Sequence, residues 1–112
     1  MNYNKNSTRY YSSRQEKSVA DKLGGKVTAN SGAAKFSGGD VRLENWLIEC
    51  KTKTTQSNQI SIKKEWLEKI KEEAYEHRKD NCALCFNFGL NTENYYIISE
   101  QLMKWLVDNI QG

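Results

Sequence analysis

Gly38-Gly39-Asp40-Val41-Arg42-Leu43-Glu44-Asn45-Trp46-Leu47-Ile48-Glu49-Cys50-Lys51 is the stretch whose reading decides the fold. A two-residue turn at Glu44-Asn45 makes it a hairpin in which Leu43 pairs with Trp46, Arg42 with Leu47, Val41 with Ile48 and Asp40 with Glu49. Side chains alternate along a strand, so Val41, Leu43, Trp46, Ile48 and Cys50 share one apolar face. Asp40, Arg42, Leu47, Glu49 and Lys51 share the other. Residues directly opposed across a ladder have Cβ atoms about 4.5–5.5 Å apart, and like charges so placed repel. Asp40 facing Glu49, with Lys51 two residues on, therefore calls for a compensating charge, and a divalent cation supplies one.

The surrounding chain suits one domain. It has 112 residues, 38% hydrophobic and 28% charged, with a mean hydropathy of −0.83. That length allows a core of ordinary size and little room for a second. No apolar run reaches the roughly 18 residues of a membrane helix, and no signal-peptide pattern opens the sequence. The expectation is a soluble cytoplasmic protein with no membrane partner and no small-molecule cofactor. The net charge of +3 is uneven: residues 1–30 carry six Lys/Arg against two acids, and residues 80–112 one against four. A basic N-terminal third suits a polyanion, although a solvated surface explains charge equally well.

The three cysteines do not make a zinc site. Cys82-x-x-Cys85 has no second pair, His77 is the only histidine, and residues three apart on a strand point to opposite faces. Buried thiols in a reducing compartment are the better reading.

Residues 1–12, with Tyr3, Lys5, Arg9, Tyr10 and Tyr11, lack a helical or strand period and read as a mobile arm or a loosely docked start. Ser13-Arg14-Gln15-Glu16 reads as a capping box opening a helix to about Leu23, with Glu16, Val19, Ala20 and Leu23 facing inward. Glu16 thus has two available roles: capping the helix start, or leaning into a site. Lys26-Val27-Thr28 suggests a short strand. The small-residue segment 29–39, containing Ser31 and Lys35, is long for a connection and delivers the chain to Asp40. Thr52 to Asn58 loops out, Gln59 to Ile62 is a short strand or a helix lead-in, and Lys63 to about Arg78 is the clearest helix. Lys63 and Lys64 sit at its N-terminus, unfavourable for the helix dipole unless a phosphate approaches. Cys82–Phe88 and Tyr95–Ile98 read as strands, and Ser99 caps a last helix with Leu102, Leu106 and Ile110 inward. The order α-β-β-β-α-β-β-α packs most naturally as an α/β protein, a central mixed sheet with helices on its faces.

Asp40, Glu49 and Lys51 supply hard oxygen ligands and an ammonium on one strip. Mg²⁺ prefers carboxylate oxygens and sites that also hold phosphate, and a nearby lysine can orient water or stabilise charge on a phosphoryl group. Gly39-Asp40-Val41, then Ile48-Glu49-Cys50-Lys51, with Glu16 on the preceding helix, resembles the PD-(D/E)XK nuclease core, and within it the small archaeal-type and phage Holliday-junction resolvases. The resemblance spans about Ser13 to Ile110. It implies a restriction-endonuclease-like fold and a DNA endonuclease that uses Mg²⁺, with Mn²⁺ able to substitute. It also implies catalytic roles for Glu16, Asp40, Glu49 and Lys51. The metal would be held by Asp40, Glu49, the Cys50 carbonyl and Glu16. Ser31 matches a substrate-contacting serine and Gln59 a further polar residue; Arg9, Arg14, Lys35, Lys53, Lys63 and Lys64 complete the expected DNA contacts. The family's proline before the aspartate is Gly39 here. A resolvase of this kind acts as a homodimer on branched DNA in a bacterial or phage-infected cell, with the Trp66 helix and Phe86, Phe88, Tyr95 and Tyr96 as contact candidates. The shared core also fits a flap-, nick- or end-acting nuclease, and a silent nucleic-acid-binding module is the rival from another class.

Overall fold

The hairpin forms about the expected turn. In the computed structural model, which describes residues 8–28 and 39–111, β2 (Val41–Arg42) and β3 (Trp46–Lys51) pair antiparallel, Val41 with Ile48 and Arg42 with Leu47. The Leu43 N–H donates to the Trp46 carbonyl at 3.0 Å, closing the turn. Lys79 clamps it, its Nζ donating to the carbonyls of Leu43 (2.8 Å) and Glu44 (2.7 Å).

Five strands make one mixed sheet in the spatial order β1-β2-β3-β4-β5, where β1 is Lys26–Val27, β4 Asn81–Phe86 and β5 Tyr95–Ile97. Pairing is antiparallel except between β3 and β4, which run parallel because α2 (Lys64–Glu76) crosses over between them. α1 (Thr8–Leu23) and α3 (Glu100–Gln111) flank these elements, giving a small α/β protein with three helices among the described residues.

Alternation along the central strands divides the core in two. Val41, Ile48, Cys50, Ala83 and Cys85 pack with Val19 and Ala20 of α1, and Leu43, Trp46 and Ile98 close the edge. Leu47 packs on the other side with Ile70 and Ala74 of α2 and with Cys82. Cys82 and Cys85 thus lie on opposite faces of β4, as their spacing dictates. Burying side chains such as Leu47, Ile48 and Leu84 is worth about 1.5–3 kcal/mol each, and all three are essentially inaccessible.

The helices depart from expectation at three points. α1 begins at Thr8, so Ser13 is mid-helix and no capping box exists. Residues 8–12 are helical rather than an arm; their tyrosines obscured the helical period. Gln15 turns inward and is 4% exposed, whereas Leu23 is 42% exposed. The helix stops where Gly24 takes φ +74° and the Gly25 N–H returns to the Ala20 carbonyl at 2.9 Å. α3 is capped as expected, by the Ser99 hydroxyl accepting the Leu102 N–H at 3.1 Å. It contains no fully buried residue, though, and Ile110 is 81% exposed rather than inward. Gln59 to Ile62 pairs with no strand and leads into α2. No helix among the described residues is long and apolar enough to cross a membrane.

Candidate active site

Asp40 sits where β2 begins, and its backbone does not continue the ladder. Its N–H donates to the Ile48 carbonyl at 2.8 Å, although Ile48 is already the partner of Val41. This one-residue offset is the signature of a bulge, a device that re-aims a side chain. The expected Asp40–Glu49 pairing is therefore not a ladder pair. Instead the Asp40 carboxylate reaches across to the neighbouring strand, where Oδ2 accepts the Cys50 N–H at 2.8 Å.

Gly39 explains how the chain enters this geometry. Its φ of +68° excludes proline, which is locked near −65°. A Cβ there would lie 3.2 Å from the Ile48 carbonyl oxygen and 3.2 Å from Ile70 Cδ1. The Gly39 N–H, which proline lacks, donates to Glu73 Oε1 at 3.0 Å. Proline is thus excluded at this position for a physical reason, and α2 holds the glycine through Glu73.

Glu49 and Lys51, two apart on β3, fall on the α2 side. Lys51 Nζ lies 3.4 Å from Glu49 Oε2 and 4.5 Å from the centre of the Trp66 ring. Lys63 Nζ approaches the same ring at 5.8 Å. Glu49, Lys51, Glu65, Trp66 and Lys69 line an open cavity of about 380 Å³. From the α1 side comes Glu16, close enough to Asp40 and Glu49 for their charges to be felt.

The electrostatics of these groups agree in direction. Burial first, then the charge of Asp40, raises the Glu16 carboxyl to about 7, against a smaller pull from Arg9. Burial also pushes Asp40 up, opposed by the Cys50 hydrogen bond and by Lys51 and Lys69. Glu49 is raised by burial and by Asp40, again opposed by Lys51 and Lys69. Three carboxyls that each resist ionisation, two of them facing the same lysines, form a site short of positive charge.

The donor set suits a hard divalent cation. Asp40 and Glu49 lie near enough for the Asp40 charge to raise Glu49, and a cation such as Mg²⁺ that keeps several waters needs no more than one or two carboxylates. Among the described residues, no group of three or more His, Cys, Asp or Glu side chains stands arranged to hold a metal. Glu16 stands beside the carboxylate pair, near enough for the charges of Asp40 and Glu49 to raise it. Because it lies mid-helix, the capping role is ruled out.

The remaining expected contacts scatter. Lys63 and Lys64 stand exposed where α2 begins, Lys63 beside Trp66. Lys53 follows the site on the chain and is half-buried. Arg9 and Arg14 lie exposed on α1, Arg14 over the Tyr10 ring at 5.9 Å. Gln59 is exposed, and its backbone carbonyl and N–H both bond to the Ser57 hydroxyl. Ser31 and Lys35 fall outside the described residues. Sequence reasoning missed Lys69 and Glu73, which sit three and seven residues after Trp66 on the helix face turned to the site. That spacing was visible, but an acid and a lysine on a charged helix read as solvated surface.

Comparison with protein-family models, curated proteins and solved structures finds no match to this chain.

Proposed function

We propose that the protein is a Mg²⁺-dependent DNA endonuclease with a PD-(D/E)XK-type core, selective for branched DNA and most simply a four-way-junction resolvase. The observation that carries this reading is the convergence of Asp40, Glu49 and Lys51 at the bulged end of the hairpin, with Glu16 entering from α1. Asp40 and Glu49 would hold the cation, with Mn²⁺ able to replace it and the Cys50 carbonyl as a further oxygen donor. When bound, the cation activates water and neutralises charge on the scissile phosphate. The chain's own groups do the rest. Glu49 and the Trp66 ring hold the Lys51 ammonium in place, ready to meet charge developing on the phosphoryl oxygens. Glu16, poised near neutrality, is suited to accept a proton from the attacking water. Lys63, Lys64 and Lys69 offer further positive charge along the α2 side for the backbone of the DNA.

Homodimer formation belongs to this reading, since two strands of a junction are cut symmetrically. Met103, Trp105 and Ile110 on α3, together with Tyr95 and Tyr96 on the edge strand β5, leave an exposed apolar surface that a second copy could cover. The aromatic strands expected as contacts are partly used internally, Phe86 stacking on Tyr95 at 5.8 Å. A silent nucleic-acid-binding module is the rival reading from another class.

Four-way junctions, flaps, nicked and plain duplexes incubated side by side with Mg²⁺ separate the readings. Junction cleavage is expected, with Asp40→Ala and Lys51→Ala each lowering the rate by about 10²–10⁴-fold while junction binding in Ca²⁺ persists. Cutting confined to flaps or ends would retain the nuclease and discard the resolvase. Wild-type protein that binds but leaves every substrate uncut would leave the binding module.

A further inference from the structure

A second polar cavity, of about 150 Å³, opens beside the end of β3 and is not used by the proposed chemistry. Tyr11, Arg14 and Ser18 of α1 form one wall, and Thr52, Asn87 and Asn94 form much of the other. It adjoins the catalytic strip at two points of the chain, because Gln15 precedes Glu16 and Thr52 follows Lys51. Gln15 ties the two sites together: its Nε2 donates to the Lys51 carbonyl at 2.8 Å and approaches Cys85 Sγ at 3.6 Å.

The wall is built, not incidental. Asn87 is 5% exposed; its Oδ1 accepts from the Thr52 hydroxyl and from the Gly89 N–H (3.2 Å), and its Nδ2 donates to Asn94 Oδ1 at 3.1 Å. The Thr92 hydroxyl fixes the same turn, donating to the Gly89 carbonyl at 2.7 Å and accepting the Phe88 N–H at 3.0 Å. Gln15, also lining the cavity, is 4% exposed, and among the described residues its buried Oε1 has no hydrogen-bond partner.

The chemistry of the lining selects the ligand. Among the described residues that line it Arg14 is the one charged side chain, whereas amides and hydroxyls dominate. A phosphate calls for concentrated positive charge; a nucleobase edge presents donors and acceptors together, which is what Asn and Gln amides match. By the share of liquid volume that a water occupies, the space equals about five waters, the size class of one heterocycle. We propose that this cavity is a nucleobase pocket, receiving a base unstacked from the DNA beside the scissile phosphate, with Arg14 at its rim on the attached backbone. The inference rests on the endonuclease reading for its DNA partner. Branched DNA suits it wherever the branch leaves a base unpaired, because an unpaired base costs less to unstack.

The test reads binding and not cleavage. The full chain in EDTA, labelled for NMR, is titrated with dAMP, dCMP, dGMP and TMP, and in parallel with deoxyribose 5-phosphate and with inorganic phosphate. At least one nucleotide should shift the side-chain amide signals of Gln15, Asn87 and Asn94 at millimolar concentration, and the two base-free probes should not. Ser18→Phe, which fills the cavity, and Asn94→Leu, which removes an amide at similar volume, should each weaken binding at least about tenfold, or ~1.4 kcal/mol, with backbone spectra otherwise unchanged. Equal shifts from the base-free probes would make this a phosphate site and overturn the proposal. So would silence with all four nucleotides, or undiminished binding in both variants. Base binding by a protein that cuts no DNA would uphold the pocket while the nuclease reading fell; cutting without base binding would do the reverse.

Discussion

The two faces of β3 were made by the same alternation and have opposite characters. Toward α1, Ile48 and Cys50 join a continuous apolar cluster in which nothing is exposed. Toward α2, Leu47 is sealed by Ile70 and Ala74, but Glu49 and Lys51 continue the same face into an open, charged cavity. One face spends its side chains on stability. The other meets carboxyls that burial first, and then neighbouring negative charge, hold above their ordinary range. Such a concentration of disfavoured charge is what functional sites show and cores avoid.

Core truncation should break the comparison most severely. Ile48→Ala is expected to cost about 2–5 kcal/mol, read as a lowered midpoint in urea, while the protein that remains folded keeps its cleavage rate. If Lys51→Ala cost as much stability, the charged face would be structural after all.

Gly39→Ala is expected to cost about 1–3 kcal/mol, because a side chain must be held at positive φ with its Cβ pressed against the Ile48 carbonyl. Since Gly39 aims Asp40, this variant should lose activity as well as stability. A loss of stability alone would show that the bulge does not position the carboxylate.

Glu16 sharpens the contrast through pH. Its folded carboxyl holds a proton up to about 7 rather than 4.5, so the folded state binds that proton more tightly than the unfolded chain. The contribution is fully present below pH 4.5 and is lost as pH rises through 7. In metal-free protein, Glu16→Gln should therefore change little at pH 4 and stabilise by about 1 kcal/mol at pH 8, allowing for solvent screening of a partly exposed group. Thermal unfolding at the two pH values measures it, and equal shifts at both would contradict the assignment.

The smallest effect belongs to Trp66→Leu. Stability should change by about 1 kcal/mol or less, since the indole is only half-buried. Cleavage should slow by about tenfold as Lys51 loses the ring that steadies it, while the pH dependence of the rate stays as in the wild type, which would mark Trp66 as a positioning residue.

Legibility followed the range of the forces involved. Hairpin pairing could be read from residues 41–48 because strand alternation and a two-residue turn are local rules. The inward faces of Val19, Ala20, Ile70 and Ala74 followed from helical spacing. The start of α1 escaped, because Tyr10, Tyr11 and Ser12 give no apolar period and the packing of Gln15 is set by distant partners, Lys51 and Cys85. Ile110 escaped for the opposite reason: its spacing is right, but no described element covers it.

By itself the chain order determined which residues share a face of each strand, and hence that Asp40, Glu49 and Lys51 would gather near one strand end. Only the tertiary structure decided how they meet. The bulge at Asp40, the Glu73 carboxylate on the Gly39 N–H, and Trp66 beneath Lys51 depend on α2 crossing over β3 and β4. The Gly39–Glu73 contact joins residues 34 positions apart and answers to packing, and no local period encodes it.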